Sequence, residues 1–192
     1  MEPEKLIIFK YSGTLSLDTV LFTRPGNLMK ELRGSGLVDL GITSPEISWE
    51  EIVNPTWEEG SAASFGYKKV MAKRVKEKFS SGISDEIIIL APSRFVESYL
   101  GHSSVDKQWK HIFRILDEHP GVCRVIATDH YAEATGYILK FPGELGVQAV
   151  AAKESFANPE FVAADSADLG VHKTYRRFWE ILKVNLQLDA VR

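Results

Sequence analysis

The 192-residue sequence predicts an α/β fold, with a Rossmann-like, mainly parallel sheet flanked by helices. Two observations support this prediction. Five apolar runs have the length and composition of buried strands, at residues 6–9, 86–91, 122–127, 147–151 and 161–164. Segments with the helical spacing of apolar residues separate most of these runs, and that alternation favours parallel strands covered by helices on both sides.

The composition is that of an ordinary globular protein, with 44% hydrophobic and 26% charged residues. A net charge of -3 gives no general attraction to nucleic acid or to anionic membranes. Cys123 is the only cysteine, so an internal disulfide and a cysteine-rich zinc site are both excluded. No apolar run approaches the roughly 20 residues of a membrane-spanning helix, and no signal-peptide pattern begins the chain. We therefore expect a cytoplasmic protein.

Helical patterns fill most of the chain between the first two apolar runs. Residues 17–32 predict two helical pieces divided around Pro25, and a further helix begins near Ser48 and is interrupted at Pro55. Residues 67–79 predict an amphipathic helix whose polar face carries six lysine and arginine side chains. A solvated face explains these cations better than an anion-binding patch does.

Three more helices are predicted in the second half. Residues 107–118 have apolar residues at the spacing of one helix face, and residues 132–141 form a helix ended by Pro142. The last predicted helix contains Phe178 and the apolar residues that follow it at helical spacing.

A loop of small and polar residues follows the first apolar run. It resembles the first motif of the haloacid dehalogenase superfamily of phosphatases and related hydrolases, Asp-x-Asp-Gly-Thr-Leu. In that family the first Asp attacks the phosphoryl group, the second is the general acid and base, and both help to hold Mg²⁺. Here Lys10 and Ser12 stand at the two Asp positions, whereas Gly13, Thr14 and Leu15 match. An ammonium group can neither ligate magnesium nor replace the carboxylate nucleophile.

Two further motifs of the family have counterparts. The second motif places a Thr at a strand end to hold a phosphate oxygen, and Thr128 fits it, with Asp129 in place of the commoner Asn. The third motif is a lysine that neutralises the phosphoryl charge. The stretch from Ser166 to Lys173, followed by Phe178 and its neighbouring tryptophan, is similar to it.

An alternative alignment remains open. Residues 161–168 also resemble the fourth motif, in which acids at a strand end hold Mg²⁺; Asp165 and Asp168 would then be the ligands. The third-motif lysine would be Lys153, only a short distance before them. We favour Lys173, because its Gly-x-x-Lys pattern and the helix after it fit the third motif together. That choice leaves the fourth motif without a counterpart.

The resemblance implies a core domain at 1–15 and 85–192, with a helical cap inserted at 16–84. We expect a catalytically impaired phosphatase relative that binds a phosphorylated small molecule or anion among Thr14, Thr128 and Lys173. The family implies Mg²⁺, but the altered first motif argues against it. Lys10, at the end of a strand predicted to be buried, needs a partner such as Asp129, Asp165 or a bound anion.

Two rival functions stay open. One is a non-enzymatic interaction or structural module whose cleft is filled. The other is an active magnesium-dependent phosphatase, which requires that the natural residue at position 10 be Asp. The sequence does not indicate the oligomeric state or the substrate.

Overall fold

Four parallel strands form one sheet in the computed structural model, which describes residues 5–79, 82–119, 121–154 and 161–186. The strands are β1 (Lys5–Phe9), β2 (Val122–Thr128), β3 (Val150–Ala151) and β4 (Phe161–Asp165). Their order across the sheet is β1-β2-β4-β3, and every neighbouring pair is parallel. This arrangement confirms the predicted α/β class with a parallel sheet.

Helices make up most of the long connection from β1 to β2. In chain order they are α1 (Asp18–Phe22), α2 (Pro25–Ser35), α3 (Pro45–Ile47), a π-helix (Ser48–Val53), α4 (Asn54–Gly60), α5 (Tyr67–Phe79), α6 (Asp85–Gly101) and α7 (Trp109–Asp117). The later helices are α8 (Ala134–Glu144), a short 3₁₀ helix (Ala152–Glu154), α9 (Ser166–Leu169) and α10 (Arg176–Asn185). The predictions of helices at 67–79, 107–118 and 132–141 are confirmed, with end shifts of a few residues.

The sheet has a separate apolar core on each face, because side chains alternate along a strand. Ile126 of β2 belongs to a large core shared with Phe9 and with the helices of the β1–β2 connection. Val125, its neighbour in sequence, belongs to a smaller core completed by Phe178 and Leu182 of α10. Helices therefore cover both faces, as predicted.

Full burial of the first strand was a wrong prediction. Leu6 and Ile8 remain 41% and 47% exposed. Their register partners are Cys123 and Val125, so they lie on the sheet face that α10 covers over β2 and β4. Within the described residues β1 pairs with β2 alone, and its outer face stays open to solvent.

The predicted strand at 86–91 is wrong, because these residues form the start of α6. Ile88, Ala91 and Phe95 are buried at helical spacing, whereas Ile89 is 62% exposed. Four consecutive apolar residues fit both a buried strand and one side of a helix, so the run alone does not distinguish them. The division into a core and a cap at 16–84 remains a prediction, now without a strand at its second boundary.

Two prolines do not end helices where the sequence predicts. Pro55 lies in the first turn of α4, which continues directly from the π-helix, so the helical path runs on through the predicted interruption. The Asn54 N–H still donates to the Trp49 carbonyl of the π-helix, and Pro55, which has no N–H, follows where the α-helix begins. Pro142 lies in the last turn of α8, which ends at Glu144. No helix of the described residues has both the length and the apolar character needed to cross a membrane.

Candidate functional site

The carboxyl ends of three strands bring most of the predicted site residues to one edge of the sheet. Phe9 lies beside Ile126 in the register, and Thr128 lies beside Asp165. Lys10 follows β1, Asp129 follows β2, and the chain after β4 turns into α9. In open α/β sheets this edge is where ligands bind.

Lys10 stands at this edge with no partner in the described part of the chain. Its side chain is exposed, and among the described residues Nζ makes no hydrogen bond or ion pair. The predicted partners are engaged elsewhere: Asp129 contacts Lys173, and Asp165 is buried among hydrogen-bond donors. The expected pairing of Lys10 with either acid is therefore wrong, because solvent hydrates the ammonium group.

The loop after β1 is held by its backbone and by one buried tyrosine. Gly13 adopts a φ of 79°, and its N–H donates to the Ser16 carbonyl at 2.8 Å. The Tyr11 hydroxyl, fully buried, donates to the Ser103 carbonyl at 2.6 Å. Burial raises the pKa of Tyr99, and a hydrogen bond with Ser12 opposes that rise. Ser12 thus lies next to Tyr99 of α6.

Thr14 is half-buried and Thr128 is buried at this edge. The Thr14 carbonyl accepts the indole N–H of Trp109 at 3.2 Å. Thr128 is buried in the last position of β2. The structure places both residues near the ends of their strands, as the motif assignment requires, but Thr128 lies beneath the surface.

Lys173 is anchored next to Asp129. Its backbone N–H donates to Asp129 Oδ1 at 2.8 Å, and its Nζ lies 3.7 Å from Asp129 Oδ2. The Trp179 indole N–H donates to the Lys173 carbonyl at 2.7 Å. The lysine side chain is 27% exposed, so it can still reach a ligand. These contacts bring the second- and third-motif candidates together.

Asp165 does not have the surroundings of a magnesium ligand. Oδ1 accepts the His130 N–H at 3.1 Å, and Oδ2 accepts the Thr135 hydroxyl at 3.3 Å. Burial raises its pKa to about 8, although these hydrogen bonds oppose the rise, so the neutral acid predominates at pH 7. Asp168 is engaged with Lys153 at 2.9 Å.

The residues present therefore do not fit a magnesium ion, which needs several oxygen ligands in octahedral geometry. Lys10 and Ser12 supply no carboxylate, and Asp165 is largely protonated. Within the described parts of the chain, no group of three His, Cys, Asp or Glu side chains has the arrangement of a metal site.

A buried polar network ties the ends of β2 and β4 to the helical layer. The Ser166 hydroxyl donates to the Ser61 carbonyl at 2.5 Å and accepts the His130 N–H at 3.0 Å. The Ser61 hydroxyl lies 2.9 Å from His172 Nε2, one residue before Lys173. His130 accepts the Tyr131 N–H on Nδ1, and its Nε2 has no partner among the described residues.

An aromatic pocket lies against this network, with a cavity volume of about 380 Å³. Helices α1, α2, α4, α5 and α6, the π-helix and Tyr131 line it. Its aromatic walls are Phe22, Trp49, Trp57, Tyr67, Phe95, Tyr99 and Tyr131. Tyr67 and Tyr131 stack with ring centroids 4.0 Å apart, and Trp57 meets Tyr131 edge-on. The sequence pattern did not predict this pocket.

The pocket also contains an unpaired polar atom. Ser48 lines it, is almost fully buried, and its Oγ has no hydrogen-bond partner among the described residues. Ser48 begins the π-helix, a rare form that is frequent at functional sites. In the sequence, the pair Asn54-Pro55 could have indicated this irregular helix, because it stands where the π-helix ends.

Comparisons with known proteins add no assignment: no protein-family model matches the chain, and no curated protein or solved structure matches it. Candidate roles therefore depend on the geometry described above.

Proposed function

We propose that this protein binds a phosphorylated small molecule with an apolar or aromatic body, on a haloacid-dehalogenase-type scaffold that has lost phosphatase chemistry. The aromatic pocket beside the carboxyl edge of the sheet is the observation that supports this function best. Its volume of about 380 Å³ falls within the usual range for small-molecule sites, which are mostly apolar with a few polar groups.

The loss of catalysis follows from the groups at the edge. Lys10 stands where the family has its attacking carboxylate, and Ser12 where it has the acid and base. A hydroxyl with no adjacent base is a weak nucleophile, and an ammonium is none. The remaining acids are an ion-paired Asp129 and a buried, largely neutral Asp165.

The same edge of the sheet has cations that can bind an anion. Lys10 is an exposed cation with no protein partner among the described residues, and Lys173 is partly exposed next to Asp129. Tyr99 lines the pocket, and a hydrogen bond with Ser12 opposes the rise in its pKa that burial causes. Ser61, which follows α4 and its Trp57, lies 2.9 Å from His172 Nε2, next to Lys173. We propose that the phosphoryl group lies near Lys10 and its organic substituent in the aromatic pocket.

The rival interaction module predicts a filled cleft, whereas the aromatic pocket is an open cavity of about 380 Å³. We therefore favour a ligand-binding function over a purely structural one.

The test uses 1-naphthyl phosphate, inorganic phosphate and 1-naphthol in calorimetric titrations. We expect naphthyl phosphate to bind more tightly than either fragment. Trp57→Ala should weaken the binding of naphthyl phosphate and of naphthol alike, by up to about tenfold, because an aromatic pair contributes about 0.5–1.5 kcal/mol beyond its buried area. Lys10→Met should weaken the binding of only the two phosphate-bearing probes. Its matched control is Lys69→Met, which replaces an exposed lysine of α5.

A parallel assay follows release of naphthol with and without Mg²⁺. Turnover by the unmodified chain that requires Mg²⁺ would overturn the loss of catalysis. The absence of binding for all three probes at millimolar concentration would overturn the binding function.

A further inference from the structure

We infer that a second site, a basic groove along α7, binds a small soluble phosphate-bearing anion. This basic groove has a volume of about 420 Å³ and runs along the exposed side of α7 to the residues that follow α8. Its rim carries Lys107, Lys110, His111 and Arg114, and apolar Phe113 and Leu145 also line it. It shares no lining residue with the aromatic pocket.

The helix repeat places the rim side chains together. Positions 107, 110, 111 and 114 recur at intervals of three and four residues, which puts them on one face of α7 and the turn that precedes it. All four side chains are exposed. The like charges of Lys107, Lys110 and Arg114 repel one another, and a bound anion would relieve that repulsion.

The groove cations are not ion-paired in the described part of the chain. Lys107 and Lys110 make no ion pair there, and the Arg114 side chain is hydrogen-bonded to the His111 ring, at 3.2 Å. Asp117, which lines the groove, is paired with Arg124 of β2. Asp106 and Glu144 line an adjoining cavity that Lys107 also lines, so the least compensated charges are those of Lys110 and Arg114.

The basic face of α5 provides a comparison, because most of its cations are paired with acids. Four of its six cations have acidic partners: Lys68 with Glu97, Arg74 and Lys78 with Glu51, and Lys76 with Asp85. That face is a set of ion pairs, whereas the sequence predicted a solvated face. The groove on α7 differs, because in the described part of the chain its lysines and Arg114 form no ion pairs with acids.

The chemistry favours a phosphate group with more than one charge. Arg114 offers the paired N–H donors that match phosphate oxygens, and Lys107 and Lys110 add point charges on the same side. A concave groove of this volume admits a diphosphate or a small phosphate ester, and its apolar lining excludes water from one side of the ligand.

The experiment is a calorimetric titration of the full chain with inorganic pyrophosphate at low ionic strength. We expect binding that weakens as salt is added, since exposed charges are screened. Lys110→Glu/Arg114→Glu should reduce the affinity at least tenfold. The matched control is Lys69→Glu/Lys73→Glu, which makes the same change of net charge at two exposed lysines of α5 without ion pairs among the described residues, and it should stay within twofold.

Four outcomes would overturn the inference. These are no binding at millimolar pyrophosphate, equal losses in the two double variants, binding only to vesicles that contain phosphatidic acid, and loss of pyrophosphate binding in Lys10→Met alone. The last result would place the anion at the sheet edge instead and would leave the function proposed above intact. Because the neutral variant Lys110→Gln/Arg114→Gln perturbs folding least, it should reproduce the loss if the site is real.

Discussion

The Glu133 carboxylate accepts the backbone N–H of Tyr67 at 2.9 Å, so the residue just before α8 holds the start of α5. Its other oxygen accepts the Lys68 N–H at 3.1 Å. Both donors belong to the first turn of α5, where N–H groups have no intrahelical acceptor. Tyr67 stacks on Tyr131, so this cap also positions a wall of the aromatic pocket.

Removal of this cap should destabilise the fold. We expect Glu133→Ala to lower the free energy of unfolding by about 1–2 kcal/mol, because two buried or half-buried N–H groups lose a charged acceptor. Urea unfolding measures the change. Glu144→Ala, which removes an exposed carboxylate at the end of α8, is the control and should stay within about 0.5 kcal/mol. Equal effects would show that the cap contributes nothing of its own.

The helical assignment of residues 86–91 makes adjacent isoleucines unequal. Ile88 is buried against the core and Ile89 is largely exposed. Ile88→Ala should therefore cost about 2–4 kcal/mol of unfolding free energy, and Ile89→Ala about 0.5 kcal/mol or less. Thermal or urea unfolding of the two variants decides the point. Similar large losses for both would contradict the helix and restore a strand buried on two faces.

The buried pair Asp165 and His130 gives a signed pH dependence of stability. Burial raises the Asp165 pKa to about 8 and lowers the His130 pKa to about 4. Between about pH 4 and 6.5, Asp165 is protonated in the folded state and ionised in the unfolded state, whereas His130 is neutral in the folded state and protonated in the unfolded state. The effects of the two residues on the pH dependence of stability therefore oppose each other in this range. Above pH 6.5 only Asp165 remains, and stability should fall as pH rises to 8.

Above pH 6.5 the free energy of unfolding should fall by no more than about 1.4 kcal/mol per pH unit, which is the limit for the loss of one proton. Asp165→Asn keeps the hydrogen-bond acceptor and removes the titration, so its stability should be nearly constant between pH 6.5 and pH 8. Asp39→Asn, at an exposed acid, should retain the fall. Urea unfolding at the two pH values gives the comparison, and an unchanged fall in Asp165→Asn would assign it to other groups.

Carboxylates at positions 10 and 12 should create the cation affinity that the natural residues lack. We expect Lys10→Asp/Ser12→Asp to gain a Mg²⁺-dependent rise in melting temperature, absent from the unmodified chain. An affinity near 1 mM would stabilise the fold by about 1.4 kcal/mol at roughly tenfold excess of Mg²⁺. Lys10→Asn/Ser12→Asn removes the cation without adding charge and should show no rise. A rise in that control, or none in the Asp variant, would contradict the proposed scaffold.

The strand at 122–127 was predicted correctly. Val125 and Ile126 are buried on opposite sheet faces, as a strand covered on both sides requires. The Ile87–Leu90 stretch was not predictable in this way. Its pattern becomes helical only when Ile88, Ala91 and Phe95 are seen to share one core, and the sequence does not state which residues the core will take.

The aromatic pocket lay beyond prediction for a related reason. Phe22, Trp57, Tyr99 and Tyr131 come from distant parts of the chain, and each alone resembles an ordinary core residue. They form a cavity because the π-helix and α6 hold them apart over the end of β2. Local spacing contains no information about that separation.

By itself, the sequence determined the α/β class with a parallel sheet and the position of Lys10, Asp129 and Asp165 at strand ends, since apolar periodicity and the alternation of strand and helix patterns are visible along the chain. Only the tertiary structure decided which of these side chains form ion pairs, which are neutral and which are solvated. Asp129 is ion-paired with Lys173, Asp165 is buried and largely neutral, and Lys10 is exposed to solvent. Ion pairing and desolvation depend on neighbours brought together by folding, so residue order could not reveal them.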